Sequence, residues 1–301
     1  MRIRVLGAAA GGGFPQWNCG CENCTLVRRK DPRTRARTQD SLAVRADGAG
    51  AADWAIINAS PDIHAQLNRA RGLHPRSARH SPIRAIVLTN GDMDHVLGLF
   101  SLRESYPLVV HATEAVWRGL SEGNAMFRTL KRFDGQVTWK KIVLGEETDL
   151  LPGMTMRAFA VPGKLPVHLE KSSTASPEDN IGVVFREETT RAAYVGAAGA
   201  LGSWVDGLED LGALFFDGTF WSSDELLTLG LSKARAEDMA HLPIGGEGGS
   251  LARLTPRARA ARKIFTHINN TNPILRDDSS ERRAVVDAGW EVAFDGMEIE
   301  P

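Results

Sequence analysis

The chain has 301 residues, 43% of them hydrophobic, which is enough for a large buried core. Its formal net charge is −1, so no basic excess indicates nucleic acid or an anionic membrane surface as a partner. No run approaches the ~20 apolar residues of a membrane span, and the first residues are too soon interrupted by Gly7 for a signal peptide, so we expect a cytoplasmic protein.

In chain order, short strands and loops come first. Strands are predicted where β-branched and apolar residues cluster between turn formers, at residues 3–6, 41–45, 53–58 and 85–88. A Gly-rich loop at 7–13 follows the first strand, and helices are predicted at 61–71 and 96–105. The strand at 85–88 is fully apolar, which is typical of a strand covered on both faces of its sheet. A polar loop at 89–94 follows it directly.

The rest of the chain continues the mixture. Further strands are predicted at residues 108–111, 137–142, 154–161, 181–186, 192–196, 213–217, 264–266 and 290–294, with a helix at 256–263. Strands and helices mix without a strict βαβ rhythm, which favours a layered sheet sandwich with helices outside. Because no internal repeat or low-complexity linker interrupts it, we expect a single domain over 1–301.

Three cysteines, the only ones in the chain, form a C-x-C-x-x-C motif at Cys19, Cys21 and Cys24. Three thiolates so close together can converge on one tetrahedral ion, and their softness favours zinc in a structural role. The fourth ligand stays open between His241, Asn270 and water. Incidental burial of the three cysteines, or a redox role for them, is the alternative interpretation.

A second group of candidate ligands follows the apolar strand at 85–88. Asp92, Asp94 and His95 place three ligand-type side chains within four residues, in a loop at the end of a central strand, where catalytic residues are frequent. Taken alone, the same residues suit a solvated turn that caps a helix.

Two further strands end in the same way. Asp217 follows the apolar run 214–216, and His267 follows the strand at 264–266. Each alone is more often a turn aspartate or a hydrogen-bonded histidine. Together with Asp94 and His95 the pattern occurs three times, which predicts a metal site shared by these strand ends.

This arrangement resembles the metallo-β-lactamase superfamily, whose first metal motif, H-x-H-x-D-H, follows a strand. The resemblance implies an α/β (α+β) fold, an αββα sandwich of two packed mixed sheets with helices outside. It assigns Asp217 to the family's bridging aspartate and His267 to its final histidine. The cysteine motif is similar to the structural zinc knuckle of the phosphodiesterase branch. The four motif positions are occupied here by Asn90, Asp92, Asp94 and His95.

The departures from the superfamily pattern concern one of its two metal positions. Asn90 and Asp92 stand where the motif has histidines, and the only candidate for the middle histidine is His168. What is left, Asp94 with His95 and His267, is the two-histidine, one-carboxylate set of non-haem Fe(II) oxygenases, although zinc would also bind it. Asp92 and Asp217 are then added ligands or hydrogen-bond acceptors for them.

Four segments narrow the resemblance to a family of pyrroloquinoline quinone (PQQ) biosynthesis proteins. They are F-P-Q-W-N-C at 14–19, N-A-S-P-D at 58–62, M-A-H-L-P-I-G-G at 239–246 and T-H-I-N-N-T-N-P at 266–273, and the likeness runs over residues 3–296.

The family resemblance implies Fe(II)- and O2-dependent hydroxylation of the tyrosine ring of a peptide-derived glutamate–tyrosine precursor. Asp92 and His241 are the candidate acid–base residues, and Trp17, Trp204 and Trp221 are candidates to stack on the aromatic substrate. The alternatives are a soluble carrier of the quinone or its precursor and a zinc-dependent hydrolase. The oligomeric state is open, with a homodimer as one option.

Overall fold

The computed structural model of the chain describes residues 1–48, 53–104, 106–122, 124–258 and 260–301. Within these residues, fourteen strands form two seven-stranded sheets. The strands of the first sheet are β1 (Arg2–Gly7), β2 (Ser41–Arg45), β3 (Trp54–Ile57), β4 (Ile83–Val87), β5 (Leu108–Ala112), β6 (Val137–Lys141) and β14 (Glu298–Ile299). The strands of the second are β7 (Glu147–Leu151), β8 (Met154–Ala160), β9 (Ile181–Glu187), β10 (Thr190–Val195), β11 (Leu211–Asp217), β12 (Ala260–Thr266) and β13 (Glu291–Val292).

Both sheets are mixed. The first has the order β14-β1-β2-β3-β4-β5-β6, with β3 to β6 parallel, and the second has the order β13-β12-β11-β10-β9-β8-β7, with β10 to β13 parallel. Because parallel strands end at the same edge, the loops after β11 and β12 are brought together.

Helices cover the outer faces of the sheets. The α-helices are α1 (Glu22–Arg28), α2 (Ile63–Arg69), α3 (Met93–Val96), α4 (Glu114–Ser121), α5 (Glu225–Thr228), α6 (Ser250–Leu254) and α7 (Ser280–Asp287). Short 3-10 helices lie at Arg71–Leu73, Leu97–Leu102, Ala125–Lys131, Ser203–Gly207, Glu237–Met239 and Pro273–Leu275. In the described parts of the chain, no helix has the length and apolar character needed to cross a membrane.

Apolar side chains form three cores, one between the two sheets and one on the outer face of each sheet. In β11, Ala213 and Phe215 point into the core between the sheets, while Leu214 and Phe216 point outward into a second core. That outer core contains residues of α6 and α7, and a third core packs α2 and α4 on the first sheet. Both faces of the strand are buried, which explains its continuous apolar run. The predicted sandwich of two mixed sheets with helices outside is confirmed.

The helix predicted at 256–263 is wrong. Residues 260–263 belong to β12, which pairs in parallel with β11 from Leu211↔Ala260 to Asp217↔Thr266, and Arg259 lies outside the described residues. Alanine, arginine and lysine are good helix formers, but intrinsic propensity is weak compared with tertiary contacts, and pairing with a buried central strand overrides it.

The helix predicted at 96–105 differs in its bounds and type. The chain turns helical earlier, in α3, and continues as the 3-10 helix Leu97–Leu102, while Ser105 lies outside the described residues. Gly98 allows this tight path, because a Cβ there would lie 2.2 Å from the carbonyl oxygen of Ser60.

Candidate metal centre

Loops that follow parallel strands bring the predicted carboxylates and imidazoles together. Asp94 and His95 lie in α3, soon after β4, while Asp217 ends β11 and His267 follows β12. The ligand atoms of Asp94, His95 and His267 lie within 4.8 Å of one another, and so do those of Asp217, His241 and His267. We call these five residues the metal centre. His267 belongs to both groups and so connects them.

The orientation of His267 follows from its hydrogen bonds. The Thr219 hydroxyl lies 2.6 Å from Asp217 Oδ1 and 2.9 Å from His267 Nδ1. The Asp217 carboxylate and the backbone carbonyl oxygen of His267, 2.9 Å from the hydroxyl, can only accept, so the single hydroxyl proton is directed to these oxygens and the hydroxyl oxygen accepts from Nδ1–H of His267. Nε2 of His267 therefore faces Asp94, 3.2 Å from Oδ2.

The charges of His267 and Asp94 stabilise each other. Burial lowers the pKa of His267, but the hydrogen bond and charge of Asp94, with the charges of Asp40 and Asp217, outweigh it and raise this pKa to about 9. Burial raises the pKa of Asp94, yet His95 and His267 bring it below its ordinary value. A metal cation bound to Nε2 of His267 would take the place of the proton there and would give Asp94 a positive partner in the same position.

His95 shows that the site suits a metal ion. It is 1% exposed, and among the described residues neither of its ring nitrogens has a hydrogen-bond partner. Burial lowers its pKa, so the imidazole is neutral and keeps a lone pair free, and Nε2 lies 3.8 Å from Asp94 Oδ2. A buried polar group without a partner is costly, and an ion held by Asp94, His95 and His267 would satisfy it.

Asp217 orients a second histidine. Within the described chain its Oδ2 accepts hydrogen bonds from the backbone N of Ala198 and from Nδ1 of His241, both at 2.8 Å. Its Oδ1 accepts from the backbone and hydroxyl of Thr219. Burial raises the pKa of Asp217, but His241 and its other partners lower it overall. A carboxylate that holds Nδ1 of a histidine leaves Nε2 ready for a metal or substrate.

The option that His241 is the fourth ligand of the cysteine site is wrong. Its hydrogen bond to Asp217 places it in the metal centre instead. His241 follows no strand, so its position along the chain does not predict the contact with Asp217. It lies after Ala240, a residue with a φ of 61°, in an irregular segment that only the tertiary fold carries to Asp217.

Asp92 lies beside the metal centre rather than in it. It is half-buried, and neither group of ligand atoms within the described chain includes it. Burial, followed by the charge of Asp94, raises its pKa. Its backbone N donates to Oδ1 of Asn90 at 3.1 Å, and the amide of Asn90 pairs with Asn180 at 3.4 Å.

His168, the only candidate in the sequence for the middle histidine, does not reach the metal centre. His168 is exposed and absent from both ligand groups in the described residues. It lies in the turn at 167–170, because the loop after β8 continues to the surface instead of ending at the metal centre.

The cysteines form a separate group, here called the cysteine cluster. The sulfur atoms of Cys19, Cys21 and Cys24 lie within 4.8 Å of one another. Cys24 lies in α1, a helix that is not predicted from the sequence. The amide Nδ2 of Asn270 lies 3.2, 3.6 and 3.4 Å from the three sulfurs in that order. Of the two protein candidates for a fourth ligand, Asn270 is thus the one at the cluster.

The three tryptophans proposed to stack on the substrate differ in how exposed they are. Trp204 stacks on Phe159, with ring centroids 5.6 Å apart, and Trp221 is half-buried. Trp17 is 85% exposed, in the chain segment that follows Gly11. Gly11 itself borders the metal centre, because a Cβ there would lie 3.4 Å from Asp94 Oδ2.

Comparisons with known proteins identify the family of the chain. A family model described as "Beta-lactamase superfamily domain" matches residues 53–268. Coenzyme PQQ synthesis protein B of Rhizobium meliloti (strain 1021) is 45% identical over 303 residues, covering 99% of this chain and 97% of the relative. The chain belongs to the coenzyme PQQ synthesis protein B family, within the β-lactamase superfamily.

Solved structures show the same fold as this chain. Zn(2+)-bound PqqB from Methylobacterium extorquens matches with a TM-score of 0.94 and 40% identity, covering 100% of both chains. A diphosphatase from the PhnP family matches with a TM-score of 0.69 at 23% identity, covering 100% of this chain and 97% of the other. The latter likeness shows the fold alone. The fold expected from the sequence resemblance is therefore confirmed.

Proposed function

We propose that the chain acts in PQQ biosynthesis as an Fe(II)- and O2-dependent hydroxylase of the tyrosine ring in a peptide-derived glutamate–tyrosine precursor. Its membership of the coenzyme PQQ synthesis protein B family supports the pathway. The observation that carries the chemistry is the convergence of Asp94, His95 and His267, in which the ring nitrogens of the buried His95 have no hydrogen-bond partner among the described residues. Two imidazoles and one carboxylate suit Fe(II) and leave open positions.

The residues of the centre have separate tasks in this proposal. Asp94, His95 and His267 would hold the iron, which when bound supplies the one-electron chemistry that O2 needs to react with a ring. In the overall reaction the O–O bond and one ring C–H bond break, and one oxygen atom is bonded to the ring carbon as a hydroxyl group. The other oxygen atom leaves as water, with two electrons from an external reductant and two protons from solution. Thr219 fixes the tautomer of His267.

Two groups are placed to handle protons. His241 is held at Nδ1 by Asp217, so its Nε2 can accept or donate a proton or contact the substrate. Asp92 is the second candidate, because burial and the neighbouring charge of Asp94 raise its pKa.

At the cysteine cluster we propose a structural Zn(II) bound by the three sulfurs, with Asn270 as its neighbour at the fourth position.

The proposal is tested with protein prepared without oxygen and loaded with either Fe(II) or Zn(II). A tyrosine-containing precursor peptide and a reductant are added, followed by O2, and the products are analysed by mass spectrometry. We expect gain of one oxygen atom only with iron and only with O2. His267→Ala should abolish this gain, while the matched control His74→Ala, an exposed histidine bonded to Asn68, should leave it unchanged.

A zinc-dependent hydrolase is the second candidate, favoured by the additional donor group of Asp217, His241 and His267. Hydrolysis of a phosphodiester or lactone by the zinc-loaded protein, with no oxygen transfer by the iron-loaded protein, would select this candidate. Tight binding of the precursor or quinone without turnover under either metal would select a carrier instead.

A further inference from the structure

A run rich in asparagine links the two sets of candidate ligands. Residues 267–272, here called the asparagine segment, begin with His267 of the metal centre and include Asn270, whose amide reaches the cysteine cluster. The segment ends at Asn272, which is 0% exposed. Asn23 also contacts the segment.

The Asn272 side chain ties the segment to the end of β11. Its Nδ2 donates to the carbonyl oxygens of Gly218 at 2.9 Å and Thr219 at 3.3 Å, and its Oδ1 accepts from the backbone N of Ile274 at 3.1 Å. The backbone N of Asn269 adds a bond to the same Thr219 oxygen, at 3.0 Å. The segment is thus fixed to the residue whose hydroxyl sets the tautomer of His267.

The Asn23 side chain ties the segment to the cysteine cluster. Asn23 lies in α1 beside Cys24 and is 4% exposed. Its Nδ2 donates to the backbone oxygens of Asn270 at 3.1 Å and Asn272 at 3.0 Å. The helix that carries the last cysteine therefore holds the backbone of the segment at two points.

His267 needs such support. Its φ of 53° lies in the left-handed region, which a side chain with a Cβ adopts at a cost unless its surroundings enforce it. Relaxation of this backbone would turn Nε2 away from Asp94 and His95.

We propose that Asn272 and Asn23 are positioning residues that hold His267 in its metal-binding orientation, and that through Asn23 the helix α1, which carries Cys24 of the cysteine cluster, supports the metal centre. This inference rests on the ligand set proposed above, but on neither the identity of the metal nor the reaction. Mutation of a residue that orients a metal ligand typically lowers the metal affinity by about 10- to 100-fold.

The test is a Co(II) titration of the metal-free protein. Thiolate-to-cobalt charge transfer reports the cysteine cluster, and the d–d bands of nitrogen- and oxygen-bound Co(II) report the metal centre. Asn272→Asp keeps the shape and the acceptor for Ile274 but loses both donors. We expect about 10- to 100-fold weaker Co(II) binding and altered d–d bands at the metal centre, with unchanged binding at the cysteines.

Two further variants frame that result. Asn23→Ala should weaken the metal centre in the same direction, and it gives the same readout if Asn272→Asp does not fold. Asn124→Asp is the matched control, since Asn124 accepts from Met126 at the start of a 3-10 helix and contacts neither ligand set in the described residues. It should bind Co(II) like the unchanged protein.

The outcomes separate the two proposals. If Asn272→Asp and Asn23→Ala lower the melting temperature but keep the affinity and d–d bands of the metal centre, the asparagines are merely structural and the inference is wrong. If His267→Ala also binds Co(II) normally at the centre, the ligand set fails and the proposed function fails with it. If His267→Ala weakens Co(II) binding at the metal centre but the two asparagine variants do not, only the positioning role of Asn272 and Asn23 is overturned.

Discussion

The metal centre and the cysteine cluster are both sets of converging ligand atoms, but they are assembled in opposite ways. The cysteines lie within residues 19–24, so a single turn and the start of α1 bring them together. The metal centre draws on the ends of β4, β11 and β12 and on His241 in an irregular loop. The first depends on local chain geometry, and the second depends on the packing of both sheets.

Their electrostatics also differ. In the metal centre, Asp94 and Asp217 provide fixed negative charge for imidazoles or a cation. In the cysteine cluster, burial raises the pKa of Cys21 to about 12, so this sulfur keeps its proton until an ion displaces it. Burial also raises the pKa of Cys19, but hydrogen bonds with neighbouring groups lower it overall. The metal centre therefore has both carboxylate charges in place before an ion arrives, whereas Cys21 of the cysteine cluster acquires its charge on binding.

The largest effect that tests this contrast is expected from His95→Leu. The change removes one ligand, so binding at the metal centre should weaken by more than about 100-fold, beyond the loss of an orienting neighbour. The metal-free protein should keep or gain stability, because a buried imidazole that has no hydrogen-bond partner among the described residues is replaced by an apolar side chain. Metal content and thermal unfolding check both points. Retained metal would remove His95 from the ligand set.

The next effect concerns the cysteine cluster. Cys24→Ser should abolish zinc binding there and lower the free energy of unfolding of the zinc-loaded protein by roughly 3 kcal/mol, because a structural ion contributes directly to folding. Denaturant unfolding with and without zinc measures this. Equal stability of the two proteins in zinc would show that the cluster holds no structural ion.

A smaller effect should appear in the pH dependence of the metal-free protein. The pKa of His267 rises from 6.5 to about 9 on folding, so its contribution to stability, up to about 3 kcal/mol, is complete below its ordinary pKa and is lost as pH rises through about 9. Cys21, raised from 9.0 to about 12, loses its contribution only at higher pH.

These two pH ranges show which part of the pH dependence of the unfolding free energy comes from the metal centre and which part comes from the cysteine cluster. Asp94→Asn should flatten the dependence between about pH 6.5 and about pH 9, where His267 titrates, and Cys21→Ser should flatten it only above that range. Denaturant unfolding across the pH series provides the measurement. An unchanged slope in Asp94→Asn would contradict the pairing of Asp94 with His267.

The smallest effect is expected from Trp17→Ala. The exposed ring lies outside both ligand sets, so metal binding and folding should not change. If it stacks on the aromatic substrate, the KM for the tyrosine-containing precursor should rise about fivefold, the equivalent of about 1 kcal/mol for an aromatic pair. Steady-state kinetics at saturating metal checks this, and an unaltered KM would exclude stacking by Trp17.

Much of the sheet architecture could be predicted from the sequence. The strands at 41–45 and 154–161 match β2 and β8 closely, because turn formers bound their apolar clusters. The helix at 256–263 failed because helix-favouring residues there pair with β11 in the interior of the second sheet. Local preference is weak where a long-range partner decides the conformation.

What the sequence alone determined were the residue types with the right chemistry, from Cys19 to Cys24 in one short motif and Asp94, His95, Asp217 and His267 after apolar strands. Only the tertiary structure decided that His241 joins Asp217, that His168 lies at the surface, and that Asn270 reaches the sulfurs. The physical reason is range. Spacing along the chain fixes contacts within a turn, whereas contacts between loops of distant strands depend on how the two sheets pack and end.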